Sequence, residues 1–391
     1  MSFYNNRYYH INKTLLCLIG QWPFQSRLEG NIMLVFTLFF ICSLSGLEIW
    51  GLIAGIRNLN IIMENASPLL INSIIFMKLI NCLYNKNKMK DLLEHIEETW
   101  KRTQTGPENK ILQNYAEQSR TLIIRYTSVL CILGFFYSTM PIIISGLYSL
   151  LPTNETYIAR YLFRLEHVLD VNKYFNLLML HGFVGVFCIV MVWAAADGMF
   201  ILCTQHVCAL FEGLRYNMES MRDSSLVIIE PSITDDETYH DIIDCIKSYK
   251  HALKYSELLS STYATYFLFL LGNVVIAGSF SAAELIMVDI QLDEIIRIVS
   301  CNVALLLHIF YISLMSQQII DHSNGFHRVI YSCNWYNISL RSKKLLRFTL
   351  LRASKPCQIK AGKMYVMSME NFSSILQVSM SYIAMLTSLQ Q

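Results

Sequence analysis

The residues of this chain that could do chemistry are few and far apart. There is no phosphate-cradling glycine loop, no G-x-S-x-G turn to expose a nucleophilic serine, no H-E-x-x-H helix and no paired C-x-x-C. The 10 histidines do not recur at ligand spacing along one helix, so no metal is expected. Nothing indicates catalysis, a cofactor or a nucleic-acid partner. Single ionisable groups stand in apolar surroundings, and each has an ordinary expected role. His308 is expected to be packed, and Asp197 to make a structural hydrogen bond at the edge of an apolar run. Lys78 and Arg125 are expected to snorkel to headgroups, and Glu48 and Glu284 to meet water near helix ends. What remains is weak, apolar chemistry. Phe135, Phe136, Tyr137 and Met140 cluster, with Phe136 and Met140 one helical turn apart. Leu178, His181 and Phe183, and Ile71, Ile75 and Phe76, form similar groups. An aromatic and Met lining with few polar groups suits a small volatile or lipid-like ligand.

The C-terminal segment has a different character. From Asn371 it carries Ser373, Ser374, Gln377, Ser379, Ser381, Thr387, Ser388 and Gln390 among apolar residues, with no fixed charge. Serine and threonine can bond within their own helix, so one reading is ordinary helix contact. The other is a hydrated, poorly selective cation path, with Met385 and Leu389 on one face to close it by dewetting.

The elements that must position these residues are membrane helices. The chain has 391 residues, 54% hydrophobic and only 15% charged, against ~25% charged in ordinary soluble domains. The apolar residues fall in blocks. Runs without Asp, Glu, Lys or Arg cover Gly30–Leu47, Tyr126–Asn154, Tyr174–Ala196, Leu258–Ala283, Ile298–Ile320 and Asn371–Gln391. Each is near the ~20 residues that cross a bilayer as a helix. Ile61–Tyr84, interrupted by Glu64 and Lys78, supplies a seventh span. The expected fold is therefore all-α, with seven transmembrane helices. No cleavable signal peptide is expected from the first 30 residues.

Charge orients the spans. Of the 31 Lys and Arg, 24 fall before residue 30 or in segments 84–121, 205–260 and 320–363. The positive-inside rule makes that side cytoplasmic. The N-terminus is then inside and the C-terminus outside, the reverse of a G-protein-coupled receptor. The D-R-Y and N-P-x-x-Y motifs of that alternative class are also missing. The sequon Asn154-Glu155-Thr156 falls in an external loop, where it could be glycosylated. None of the 11 cysteines lies in an external loop, so no disulfide framework is expected. Loop 152–173 could fold back over the outer helix ends. Residues 88–100 have helical apolar spacing, segment 222–237 reads as a loop, and the fourth span continues past Asp197 as an apolar-periodic helix. Long helices projecting into the cytoplasm would then pack there. The expected organisation is a cytoplasmic segment 1–30, a six-helix ligand-binding bundle 31–320, a cytoplasmic anchor region 321–363 and a pore-lining last helix 364–391.

The stretch Lys355-Pro356-Cys357, Ala361-Gly362-Lys363, Met367-Ser368, Phe372, Ile375-Leu376 and Ser379-Met380-Ser381-Tyr382 resembles the C-terminal motif of insect odorant receptors. Gln318-Ile319-Ile320-Asp321 and Asn334-Trp335-Tyr336 also fit that family. The related gustatory receptors end in T-Y…Q-F, where this chain has Ser381-Tyr382 and Leu389-Gln390. The resemblance implies a ligand-gated, non-selective cation channel in the plasma membrane, on olfactory neuron dendrites. A tuning subunit binds the odorant and joins a shared co-receptor in a heterotetramer, in contact with membrane lipid. Monovalent and divalent cations pass a central pore lined by the last helix. The implied pocket lies in the outer halves of the second, third, fourth and sixth helices, the sixth contributing Ile298, Cys301 and Asn302. The implied pore and gate positions are Ser381, Met385 and Leu389. The long cytoplasmic loop of a co-receptor is missing, which marks a tuning subunit.

Overall fold

The computed structural model describes residues 3–150, 161–163, 165, 170–224, 237–287, 292–333, 335, 338–362 and 364–390. They form ten helices, α1 (His10–Leu18), α2 (Arg27–Ala54), α3 (Leu59–Tyr84), α4 (Lys86–Arg102), α5 (Pro107–Leu150), α6 (Val171–Ser224), α7 (Glu237–Met287), α8 (Leu292–Ser332), α9 (Leu340–Ala353) and α10 (Met369–Gln390). A short 3₁₀ turn precedes α1, and a two-stranded hairpin, β1 (Lys360–Ala361) and β2 (Tyr365–Val366), precedes α10.

Five helices are long and apolar enough to cross a membrane, within α2, α5, α6, α7 and α8. The bent pair of α3 from Pro68 with α4, which turn by 68°, makes a sixth by composition. Seven spans were expected, and among the described residues five to six meet this test; α10, expected as the seventh, is not one of them, though its 22 residues reach about 33 Å at 1.5 Å per residue. At 54 residues, α6 would be roughly 80 Å long, far more than the ~30 Å of hydrocarbon. It projects well beyond the membrane as expected, and its buried residues continue through Phe200, Val207, Phe211 and Leu214.

Helix α6 is the axis of the bundle. Ala194 and Ala195 are fully buried, and such small side chains let neighbouring backbones approach closely. Helices α5, α8, α7, α1, α2 and α3 pack around it. At the end of the bundle carrying α4 and α9, α4 buries Met89, Leu92, Leu93 and Ile96, the face foreseen for 88–100. The charged face of α4, of mixed sign, and the basic residues of α9 remain outside, with Lys101 and Arg102 closing α4.

Local signals set the element ends. Ser26 caps α2 by accepting from the Glu29 amide at 3.4 Å. Ser339 does the same for α9 from the Ser342 amide at 3.3 Å. Gly20 has φ +69, and a Cβ there would lie 2.1 Å from the Gly30 carbonyl oxygen, so the turn between α1 and α2 requires glycine. Gly362 (φ +62) lets the hairpin turn, and its amide donates to Ala264 O at 2.8 Å, pinning the hairpin to α7.

Candidate functional site

Two features lie stacked in the helix bundle and share one residue. The first is a cavity of about 80 Å³. Its walls are Leu44 and Glu48 of α2, Pro68, Ile71 and Asn72 of α3, and Leu130, Leu133, Gly134 and Tyr137 of α5. Val186, Ile189, Val190 and Trp193 of α6 and Ser300, Cys301 and Ala304 of α8 close the other side. Leu162 and Phe163 cover it, so the described part of loop 152–173 folds inward; Tyr161, Leu162, Phe163 and Leu165 are all buried. Arg297 of α8 ties that cover down, donating to Tyr161 O at 2.6 Å.

The polar groups of the cavity are sparse. Glu48 was expected to face water but is only 4% exposed and accepts from Asn72 Nδ2 at 2.7 Å. The Ser300 hydroxyl is spent on Ile296 O at 2.7 Å. The lining can therefore recognise shape, with the Glu48 carboxyl, the Asn72 amide, the Tyr137 phenol and the Trp193 indole as its main polar features. An apolar cavity of ~150 Å³ holds benzene. At about 80 Å³ this cavity fits a smaller body, or a larger one once side chains turn.

Of the residues singled out in the sequence, Ile71, Tyr137 and Cys301 come together here. Ile75, Leu178 and Ile298 are buried but line other contacts, and Phe76 and Met140 are half-buried outside the cavity. Phe135 and Phe136 point outward, at 52% and 39% exposure, as does Phe183. His181 bonds Ser43 Oγ at 2.8 Å across to α2, and Asn302 returns its amide to Ile298 O at 2.8 Å. On α10, Ser381 is exposed and donates to Gln377 O at 2.9 Å, and Met385 is 56% exposed. Asn154 and the side chain of Leu389 lie outside the described residues.

The second feature is a buried ionic cluster. Lys78 does not snorkel; it is 1% exposed and donates to Asp197 Oδ1. Tyr126 donates to the other carboxylate oxygen at 2.5 Å, and His308 Nε2 lies 3.2 Å from it. Lys78 Nζ is also 3.0 Å from the same His308 nitrogen. That nitrogen can accept from Lys78 or donate to Asp197, but not both at once. Tyr266 and Trp193 stand at 5.5 and 5.6 Å from the ammonium, ring to cation. Helices α3, α5, α6, α7 and α8 thus meet at one ion pair. Trp193 joins the two features, with one side on the cavity and its ring 5.1 Å from that of His308. The partners are 119 residues apart in sequence for Lys78–Asp197 and 230 for Lys78–His308, which is why single-residue reasoning missed them.

The comparisons with known proteins agree with this architecture. Odorant receptor 9a of Drosophila melanogaster is 20% identical over 349 residues, covering 85% of this chain and 83% of that protein. Odorant receptor Or2 of Anopheles gambiae is 28% identical over 150 residues, 38% of this chain and 39% of that one. The odorant receptor coreceptor of Aedes aegypti is 21% identical over 145 residues, 37% of this chain and 30% of its own. The structure of the insect olfactory receptor OR5 from Machilis hrabei in complex with eugenol superposes with a TM-score of 0.76 at 14% identity, covering 98% of this chain and 100% of that one. The family model described as 7tm Odorant receptor matches residues 58–380, so the chain belongs to the odorant receptor family, whose members are receptors and not enzymes.

Proposed function

We propose that this chain is the ligand-binding, tuning subunit of an odorant-gated, non-selective cation channel. The observation that carries the reading is the covered, mainly apolar cavity inside the bundle of a chain in this family. It suits a small volatile molecule, with Ile71, Tyr137 and Cys301 among the contacts and Glu48 able to meet a polar group. Binding presses on Trp193, and through it on the ion pair that holds five helices, which gives ligand occupancy a route to the rest of the bundle.

The partner in this reading is the odorant co-receptor, in a heterotetramer in the plasma membrane of olfactory neurons. Similarity to co-receptor chains over part of the sequence supports that association. The serine-rich, charge-free α10 lines the pore for monovalent and divalent cations, with Ser381 facing water and Met385 and Leu389 forming the dewetting gate. The end with α4, α9 and the hairpin is cytoplasmic and anchors the subunits, since 24 of the 31 basic residues belong to that side.

The orientation has a direct test. Epitope tags on intact cells should find the C-terminus reachable from outside and the N-terminus reachable only after permeabilisation. A C-terminal tag seen only after permeabilisation would contradict the channel reading and favour a G-protein-coupled arrangement.

A further inference from the structure

At the end of the bundle opposite the covering loop, α4 and α7 bring together a set of donors that neither helix holds alone. His95 and Glu98 stand three residues apart on α4, one turn, and so share a face. His251 of α7 lies opposite. One donor atom from each of the three falls within 4.8 Å of the others. His95 Nδ1 and His251 Nε2 are 3.2 Å apart. Two nitrogens at 2.0–2.1 Å from a tetrahedral Zn²⁺ are separated by about 3.3 Å, the edge of that tetrahedron. The separation also fits one imidazole donating to the other, and that is the competing description.

The surroundings favour a cation. An open cleft of about 630 Å³ reaches His95 and Glu98, bordered also by Asp91, Glu94 and Glu257, with Lys254 as the positive charge among its lining residues and Lys90 paired with Glu94 at 3.4 Å. Arg102 occupies one oxygen of Glu98 at 2.6 Å, and that carboxylate keeps its second oxygen. The Tyr255 ring packs against His95 at 6.0 Å, edge to face, and against His206 at 5.0 Å. Two donors three apart on one helix share a face, so a third from a neighbouring helix can converge with them on one ion.

We propose that His95, Glu98 and His251 form a site for a divalent transition-metal ion of the zinc class, which clamps α4 to α7, with water completing a tetrahedral shell. No local motif announces it, because the two histidines are 156 residues apart and belong to different helices.

The test uses the full-length chain, purified in detergent, stripped with a chelator and titrated with ZnSO₄. One ion per chain should bind at micromolar concentration or tighter, and the thermal midpoint should rise with zinc. His95→Ala and His251→Ala should each weaken binding at least tenfold and abolish the thermal shift. His10→Ala, an exposed histidine on α1, should leave both unchanged. Titration of the unsubstituted chain with CoCl₂ should give the intense visible absorption of tetrahedral Co²⁺, a readout that does not depend on any variant folding. No saturable zinc binding by the unsubstituted chain, zinc affinity unchanged in either His95→Ala or His251→Ala, or the pale spectrum of octahedral Co²⁺ would overturn the site.

Discussion

Asp197→Leu is expected to remove most of the folded protein, measured as the monodisperse fraction in detergent and as surface expression. Asp197 is the only carboxylate among the described partners of Lys78. Without it, a fully buried ammonium faces two aromatic rings and one neutral imidazole nitrogen. Removing one partner of a buried pair costs about 3–5 kcal/mol, which exceeds what a marginally stable membrane bundle can lose without consequence. Lys78→Met should be milder, because His308 can take up a proton and stand as the cation 3.2 Å from Asp197. The double variant Lys78→Met with Asp197→Leu should recover much of the single loss, since two well-packed apolar residues of similar volume often replace a buried pair at little cost. Wild-type levels of folded Asp197→Leu, or no recovery in the double variant, would show that the cluster does not carry this energy.

The cavity gives the second large effect. Tyr137→Ala should weaken the response to small ligands by roughly 5- to 150-fold, from the loss of about 1–3 kcal/mol of apolar contact, and should admit bulkier ones. Phe136→Ala should shift potency little, because its ring is 39% exposed and does not line the cavity. The comparison is made on dose–response curves at matched surface expression. Equal shifts for both variants, or none for Tyr137→Ala, would place the ligand elsewhere.

These two residues also show where sequence reasoning stops. That α5 is a helix crossing the membrane follows from a run of 29 residues without a charge, in which any other structure would strand its backbone groups in lipid. Which side of α5 looks inward does not follow. Adjacent residues differ by about 100° around a helix, and an α5 this apolar all round has little to distinguish its lipid face from its cavity face. Tyr137 and Phe136 are equally good candidates by type, and only the neighbours decide.

Lys78 failed for a related reason. A lysine near the end of an apolar run usually snorkels. Its partner is an aspartate on another helix, and nothing local announces the pairing. The amphipathic helix at 88–100 was legible because one side is charged and the other is not, and α4 buries that apolar side. The hairpin 360–366 and the short helix α1, which buries only Asn12, Leu15 and Leu16, were not foreseen, being too short for a periodic signal. The C-terminal motif, by contrast, led to the family without any geometry, and the match over residues 58–380 agrees with it.

In the proposed function, ligand in the cavity opens a cation path without a second messenger. Whole-cell recordings test it in cells expressing this chain, the co-receptor, or both, dialysed with a GDP analogue that locks G proteins off. A panel of small volatile compounds is applied to each. The doubly expressing cells should show a cation current that persists under the G-protein block, is lost when this chain is omitted, and moves in potency with Tyr137→Ala. Full ligand-evoked currents from this chain without the co-receptor, or a response abolished by the block, would contradict it.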